Sequence, residues 1–98
     1  MRDSNGYMPS ILPTKAGRCY ICNRYADTAR HEVFYGTANR QNSKACGTWV
    51  DVCPMCHNEL HASPNTGIDL HLKRNAQWCY ERTHTRAEFI QVFGRTWL

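Results

Sequence analysis

The sequence predicts a small α+β domain in which two short strands precede a helix and further helices follow. Two stretches rich in β-forming residues lie in the first half of the chain, and helix-forming residues with apolar periodicity dominate the second half. At 98 residues, the chain has the length of one domain with a thin hydrophobic core. A domain of this size commonly needs a further stabilising element, such as disulfides or a bound metal.

The N-terminal segment has the composition of a loop. A glycine and two prolines interrupt it, and Ser, Asn and Thr surround them. We predict an irregular arm over residues 1–17 and a single domain over residues 18–98. Within that domain, the ββα core is expected at about 19–63 and the C-terminal helices at about 68–95.

Two strands are predicted in this core. The first covers residues 28–35, where β-forming residues run up to Gly36, and it places His31 near its middle. Residues 36–48 are polar, which predicts a loop whose composition also suits contact with phosphate. The pattern of Trp49–Val52 predicts a short second strand that leads directly into a cysteine motif.

Three helices are predicted after the second strand. The first begins near Cys56, and the second extends over about 70–82 with apolar residues at helical spacing. The third begins at a capping box formed by Thr85 and Glu88, and Gly94 suits its C-terminal cap. The last two helices are expected to contribute packing.

Six cysteines are present, and four of them form two Cys-x-x-Cys pairs: Cys19, Cys22, Cys53 and Cys56. Six cysteines can form three disulfides in a secreted domain, but the N-terminus has no apolar run of signal-peptide length. No stretch approaches the length of a membrane span. We therefore expect a cytoplasmic protein with reduced thiols and no membrane partner.

In a reducing compartment, two such pairs indicate zinc before redox chemistry, because no βαβ pattern surrounds either pair. Four thiolates give a closed tetrahedral Zn²⁺ site with no open position, so its role is structural. The remaining cysteines, Cys46 and Cys79, lack a near partner and are expected to be buried thiols.

The histidines form a second candidate set. His57 follows the last of the paired cysteines and His61 lies four residues later, so both lie on one face of the predicted helix. Together they can hold a divalent ion, and His31 on the first strand can close over it. His71 and His84 lack such partners and are expected at the surface.

The charge is mildly basic. The formal net charge is +4, and nine Arg against three Lys supply most of the positive charge. Arg forms bidentate contacts with phosphate, so this bias suits a nucleic-acid partner. A solvated basic surface is the other explanation for the same composition.

Two segments carry a pattern that extends beyond the metal ligands. Residues 30–40 read Arg-His-Glu-Val-Phe-Tyr-Gly-Thr-Ala-Asn-Arg, and residues 53–58 read Cys-Pro-Met-Cys-His-Asn. They resemble the HNH endonuclease superfamily, and more closely the small HNH-type proteins of phages and prophages, over about residues 19–93. The resemblance implies a zinc-stapled ββα-metal core with appended C-terminal helices. It also implies a metal-dependent DNA endonuclease or nickase in the cytoplasm of a bacterial host cell.

The resemblance assigns roles to the matching residues. His31 matches the general base that deprotonates water, and His57 and His61 match the ligands of a catalytic divalent ion such as Mg²⁺ or Mn²⁺. Asn39 and Arg40 match the Asn-Arg pair of the signature and are further candidate catalytic residues. The four paired cysteines match the ligands of a structural Zn²⁺.

Two positions depart from the family pattern. Arg30 stands directly before the base, where the family usually has a metal ligand, so Glu32 or Asp27 would have to substitute, or His31 would itself be a ligand. Thr48 stands where the family usually has its middle Asn, and Asn39 can stand in for it only through the intervening loop. These departures concern catalysis more than the fold.

Two other functions therefore stay open. A non-catalytic zinc-stapled module can keep the fold and bind nucleic acid without cutting it. Alternatively, the histidines can form a second structural zinc site. The sequence leaves the choice between a monomer and a homodimer undecided.

Overall fold

The computed structural model describes residues 2–98, apart from the side chain of Thr37, and it shows an α+β fold. Met1, the first residue of the predicted arm, lies outside this range. The described residues form two strands and four helices: β1 (Ala29–Glu32), α1 (Thr37–Cys46), β2 (Trp49–Val52), α2 (Pro54–Ala62), α3 (Gly67–Tyr80) and α4 (Arg86–Phe93). The predicted α+β class is therefore confirmed.

The sheet is a single antiparallel pair in which His31 lies opposite Val50. The first strand is shorter than the predicted 28–35, because the chain leaves the sheet after Glu32. The buried hydroxyl of Ser43 accepts a hydrogen bond from the Phe34 N–H at 3.1 Å and donates one to the Phe34 carbonyl at 2.6 Å. These two bonds satisfy backbone groups that a longer strand would have paired.

The loop predicted over 36–48 is wrong, because α1 occupies most of it. The inward contacts of this helix are polar. Ser43 binds the backbone of Phe34, and the Asn42 amide donates to the Val92 carbonyl at the end of α4 at 2.9 Å. A helix held by such contacts lacks the apolar periodicity on which a prediction from sequence depends.

The helix α2 begins inside the second cysteine pair. Cys53 is its N-cap, and the sulfur of Cys53 accepts a hydrogen bond from the Cys56 N–H at 3.5 Å. Pro54 occupies the first helical position, where its missing N–H costs nothing. The cysteine pair thus fixes the start of the helix that contains His57 and His61.

The two C-terminal helices agree closely with their predictions. The helix α3 begins three residues before the predicted 70–82 and ends at Tyr80. The capping box of α4 is confirmed, since the Thr85 hydroxyl accepts from the Glu88 N–H at 3.1 Å and the Thr85 N–H donates to the Glu88 carboxylate at 2.7 Å. Gly94 ends this helix in the left-handed conformation.

The arm is irregular in its described part, but it is packed against the domain. The Met8 N–H donates to the Lys44 carbonyl and the Ile11 N–H to the Gly47 carbonyl, both at 2.9 Å. A Cβ at position 47 would lie 2.2 Å from the Pro9 carbonyl oxygen, so this close approach requires glycine. Leu12 then enters the hydrophobic core.

That core lies between the sheet and the last three helices. Its buried members are Leu12, Cys19, Val33, Phe34, Val50, Val52, Cys53, Leu60, Leu72, Ala76, Tyr80, Phe89 and Phe93. Two of these are paired cysteines, so the core ends directly at the candidate zinc site. Within residues 2–98, no helix combines the length and apolar character needed to cross a membrane.

Candidate functional site: two clusters of metal ligands

The four paired cysteines converge as predicted. One ligand atom from each of Cys19, Cys22, Cys53 and Cys56 lies within 4.8 Å of all the others. The sulfurs of Cys22 and Cys53 are 3.8 Å apart. A tetrahedron with Zn–S bonds of about 2.3 Å separates its sulfurs by about 3.8 Å, so this spacing suits a zinc ion.

Backbone N–H groups donate to the sulfurs of the two buried cysteines, Cys19 and Cys53. The Cys22 N–H donates to the sulfur of Cys19 at 3.5 Å, which repeats the bond between Cys56 and Cys53. Burial raises the pKa of Cys19, but the backbone N–H groups of Cys22, Cys53 and Ile21 outweigh it and lower the pKa to about 6. Burial and the neighbouring sulfurs raise the pKa of Cys56. A divalent cation would relieve this competition for protons by stabilising all four thiolates.

The second cluster joins the sheet to α2. His31 from β1 and the pair His57 and His61 from α2 each offer a ligand atom, and these atoms lie within 4.8 Å of one another. The ring centroids are 4.9 Å apart for the two helical histidines, and 5.3 and 5.2 Å from His31 to His57 and His61. Helical spacing and the register of β1 therefore produce a three-imidazole set.

The environment lowers the pKa of two of these imidazoles, His31 and His57, which favours their neutral form. Burial, followed by the nearby His57 and His61, lowers the pKa of His31 to about 4. Burial and the proximity of His61 lower the pKa of His57. Neutral imidazole is the form that binds a metal or accepts a proton, because one of its nitrogens has a free electron pair.

One buried nitrogen atom of this cluster indicates that the cluster binds a further group. His31 is 2% exposed, and its buried Nε2 atom has no hydrogen-bond partner among the residues that the structure describes. Buried polar atoms are nearly always paired, so an unpaired one calls for an explanation. A divalent cation among the three imidazoles would supply the partner, and this donor set therefore fits such an ion.

The histidines line a pocket of about 220 Å³ together with Arg30, Glu32, Tyr35 and Arg40. Glu32 accepts a hydrogen bond from the Tyr7 hydroxyl at 2.6 Å and lies 3.6 Å from the Nε atom of Arg40. Arg30 stacks over the rings of Tyr7 and Trp49 and pairs with the carboxylate of Asp3. We call this space the histidine pocket.

Five of the six predicted catalytic and histidine-ligand residues line this pocket, but Asn39 does not. Its amide donates to the Phe93 carbonyl at 3.1 Å, and its side chain lines a neighbouring pocket instead. Thr48 is fully buried and Asp27 is exposed, and neither lines the histidine pocket. The catalytic roles suggested for Glu32 and Arg40 stay predictions, and both side chains line the histidine pocket.

Sequence reasoning missed the residues behind the histidines. The Tyr35 ring lies 5.5 Å from that of His61 and 5.8 Å from that of His31. Its hydroxyl donates to Asp69 Oδ2 at 3.2 Å, and Lys73 donates to the same oxygen at 2.8 Å. Burial and the Asp69 charge raise the pKa of Tyr35 to about 12, so the hydroxyl remains a donor. The spacing of Asp69 and Lys73, four residues apart, was the only signal in the sequence.

Comparison of the chain with protein-family models, with curated proteins and with solved structures finds no match. The geometry of the two clusters is therefore the basis for a function.

Proposed function

We propose that the protein is a metal-dependent DNA endonuclease or nickase of HNH type. In this proposal β1, β2 and α2 form the ββα-metal core, and the four cysteines hold a structural Zn²⁺. The observation that carries the proposal is the convergence of His31, His57 and His61 within 4.8 Å in a pocket that two arginines also line. A metal-binding set beside guanidinium groups suits hydrolysis of a phosphodiester.

The helical histidines have the binding role. His57 and His61 project from successive turns of α2, whose start is fixed by the cysteine cluster. A divalent ion such as Mg²⁺ or Mn²⁺ held there would stabilise the negative charge that develops on the leaving oxygen. The zinc site therefore acts on the reaction only by fixing the position of this helix.

We assign His31 the role of proton acceptor. It lies on β1, and its ring centroid is 5.3 and 5.2 Å from those of His57 and His61 on α2. A neutral imidazole in this place can take a proton from the attacking water. The same convergence also fits His31 as a third ligand, and metal binding by a His31→Ala variant separates the two roles. If His31 is a base, its removal leaves the metal affinity unchanged. If His31 is a ligand, its removal lowers the metal affinity.

The arginines provide the anion-binding groups. The guanidinium of Arg30 stacks on the rings of Tyr7 and Trp49, which fix its position at the pocket. Arg40 is more exposed and is oriented by its ion pair with Glu32. Guanidinium groups bind phosphate oxygens through paired N–H donors, which suits a scissile phosphate between them and the histidines.

Plasmid cleavage tests the proposal. Purified protein is incubated with supercoiled plasmid and Mg²⁺ or Mn²⁺, beside His57→Ala and the matched control His71→Ala, which alters an exposed histidine on α3. We expect nicked or linear product with the wild type and the control, and none with His57→Ala. Undiminished cleavage by His57→Ala would show that the histidine cluster is not the active site. A wild type that cleaves DNA with none of the divalent ions tested would contradict the proposed nuclease activity.

One observation favours a second candidate, a nucleic-acid-binding module that does not cut. Arg30 replaces an expected ligand with a cation, and Asp3 already neutralises it. Retained zinc together with DNA binding and no cleavage would identify this function. Elemental analysis covers the remaining alternative, since two tightly held zinc ions per chain would indicate a second structural site.

A further inference from the structure

A second pocket, of about 350 Å³, adjoins the histidine pocket, and Tyr35 lines both. We call it the lysine pocket. Its polar lining side chains are Tyr35, Asn39, Asn65, Lys73 and Arg95. Lys73 is paired with the buried Asp69, so Arg95 supplies the positive charge that no carboxylate of the lining balances, and this charge favours an anion.

The buried cation of this pocket has a donor to spare. Lys73 is 4% exposed in its side chain, and its ammonium donates to Asp69 at 2.8 Å and to Asn65 at 2.6 Å. It also lies over the rings of Tyr35 and Trp97, at 4.3 and 4.7 Å from their centroids. An ammonium group has three N–H donors, so one remains for a ligand in the pocket.

The second cation is exposed and held in place. The guanidinium of Arg95 stacks on the Trp97 ring, with its central carbon 3.8 Å from the ring centroid, and its Nε donates to the Thr96 carbonyl at 3.1 Å. The backbone of Trp97 is tied to α3, because its N–H donates to Gln77 at 2.7 Å and its carbonyl accepts from Arg74 at 3.0 Å. This arrangement orders both cationic groups before a ligand arrives.

We propose that the lysine pocket binds a backbone phosphate of the DNA strand beside the phosphate that is cut. Lys73 and Arg95 donate to its oxygens. The proposal rests on the proposed function, which brings a strand with regularly repeated phosphates to the histidine pocket. Tyr35 lines both pockets, and its ring centroid lies 5.5 Å from that of His61 and 4.3 Å from the Lys73 ammonium. In this proposal one strand occupies both pockets.

The salt dependence of DNA binding tests this contact. Binding of a labelled duplex oligonucleotide is measured by fluorescence anisotropy over a series of salt concentrations, without added Mg²⁺ or Mn²⁺. Loss of one phosphate contact lowers the slope of log affinity against log salt by about 0.9 on duplex DNA. We expect this decrease for Arg95→Gln, and we expect Arg95→Lys to keep most of the wild-type slope because it keeps the charge.

The control is Arg82→Gln, which removes an exposed arginine that lines neither pocket and should keep the wild-type slope. A slope for Arg95→Gln equal to that of the wild type would overturn the proposal, as would a wild type that does not bind DNA. If the wild type cleaves DNA but Arg95→Gln leaves the salt slope unchanged, only the proposal for the lysine pocket is rejected. A slope that depends on Arg95 without any cleavage would support the pocket and reject the nuclease.

Discussion

The two ligand clusters share one helix but differ in closure. The cysteine cluster brings together four sulfurs, two of which belong to the hydrophobic core, and a tetrahedral ion held by all four would have no open coordination position. The histidine cluster brings together three imidazoles, lies beside charged side chains and opens into a pocket. The helix α2 therefore connects a cluster embedded in the core, at Cys53, to a cluster that opens to a pocket, at His61. Substitutions in the two clusters should consequently have different effects.

The energies involved separate these consequences. Structural zinc in small domains has an apparent binding free energy of about 10–16 kcal/mol. The net free energy of unfolding of a whole domain is about 5–15 kcal/mol. Loss of a zinc ion from the cysteine cluster would therefore remove an amount comparable to the entire stability of the domain.

The largest effect is expected from Cys53→Ser. This change removes one of the four clustered sulfurs and a buried core member at once, whereas Ser can still cap α2. We expect loss of the folded state, measured as loss of near-UV circular dichroism and of zinc by elemental analysis. A chelator strong enough to remove zinc from the wild type should produce the same spectrum, and added Zn²⁺ should restore the native one.

The matched control is Cys46→Ser, which alters a half-buried cysteine on α1 outside the cluster. It should keep both the zinc and the near-UV spectrum. A folded, cooperative Cys53→Ser variant would show that the hydrophobic core suffices alone, and the structural side of the comparison would then be wrong.

The next effect is confined to the other cluster. His57→Ala removes a half-buried side chain from the surface of α2 and leaves all four cysteines in place. We expect zinc content and the unfolding transition to stay close to those of the wild type, while Mn²⁺ affinity measured by calorimetry falls more than about 100-fold, since even indirect supports of a metal site contribute about 10- to 100-fold.

A collapse of the fold in His57→Ala would contradict the division between the clusters. His71→Ala again serves as the control, because it removes an exposed imidazole from α3. Its Mn²⁺ affinity and thermal unfolding should match those of the wild type. The pair of variants thus separates loss of a ligand from loss of any histidine.

The features of the fold and of the two clusters that could be predicted from the sequence are those that depend on contacts between residues close together in the chain. The cysteine spacing predicted the convergence of four sulfurs, and Thr85 and Glu88 predicted the start of α4, because both motifs act over a few residues. Helical spacing likewise placed His57 and His61 on one face. In these cases a local rule and the tertiary structure agree.

The rest depended on tertiary contacts between polar groups. Ser43 and Asn42 hold α1 by bonding distant carbonyls, so no apolar stripe marked that helix. Asp69 and Lys73 have the spacing of an ordinary surface ion pair, and only the packing of α3 shows that they are buried behind the histidines. Asn39 was expected near the catalytic residues, but the same helix turns it toward α4.

A smaller effect is expected from Tyr35→Phe, which tests this hidden support. The change removes the hydrogen bond to Asp69, and bonds to charged groups contribute about 1.5–3 kcal/mol. We expect a lower thermal midpoint and a loss of Mn²⁺ affinity of about 10-fold, because without this bond the ring that contacts two of the three imidazoles is no longer anchored to Asp69.

Tyr25→Phe provides the comparison, since it removes a hydroxyl from a ring that is 82% exposed. It should change neither the midpoint nor the metal affinity. If Tyr35→Phe lowers stability but leaves Mn²⁺ affinity unchanged, Tyr35 supports the fold only, and the histidine cluster is positioned by α2 and β1 alone.

The smallest effect is expected from Thr85→Ala, which lies outside both clusters. It removes the N-cap of α4 and should lower the free energy of unfolding by about 1 kcal/mol. Thermal unfolding should show a midpoint lower by about 4–8 °C, whereas zinc content and Mn²⁺ affinity should remain those of the wild type. Glu88→Gln, which can keep the reciprocal bond of the capping box, should lose less. A fall in Mn²⁺ affinity in Thr85→Ala would mean that the histidine pocket responds to stability in general, and the contrast between the clusters would then reflect stability instead of ligand chemistry.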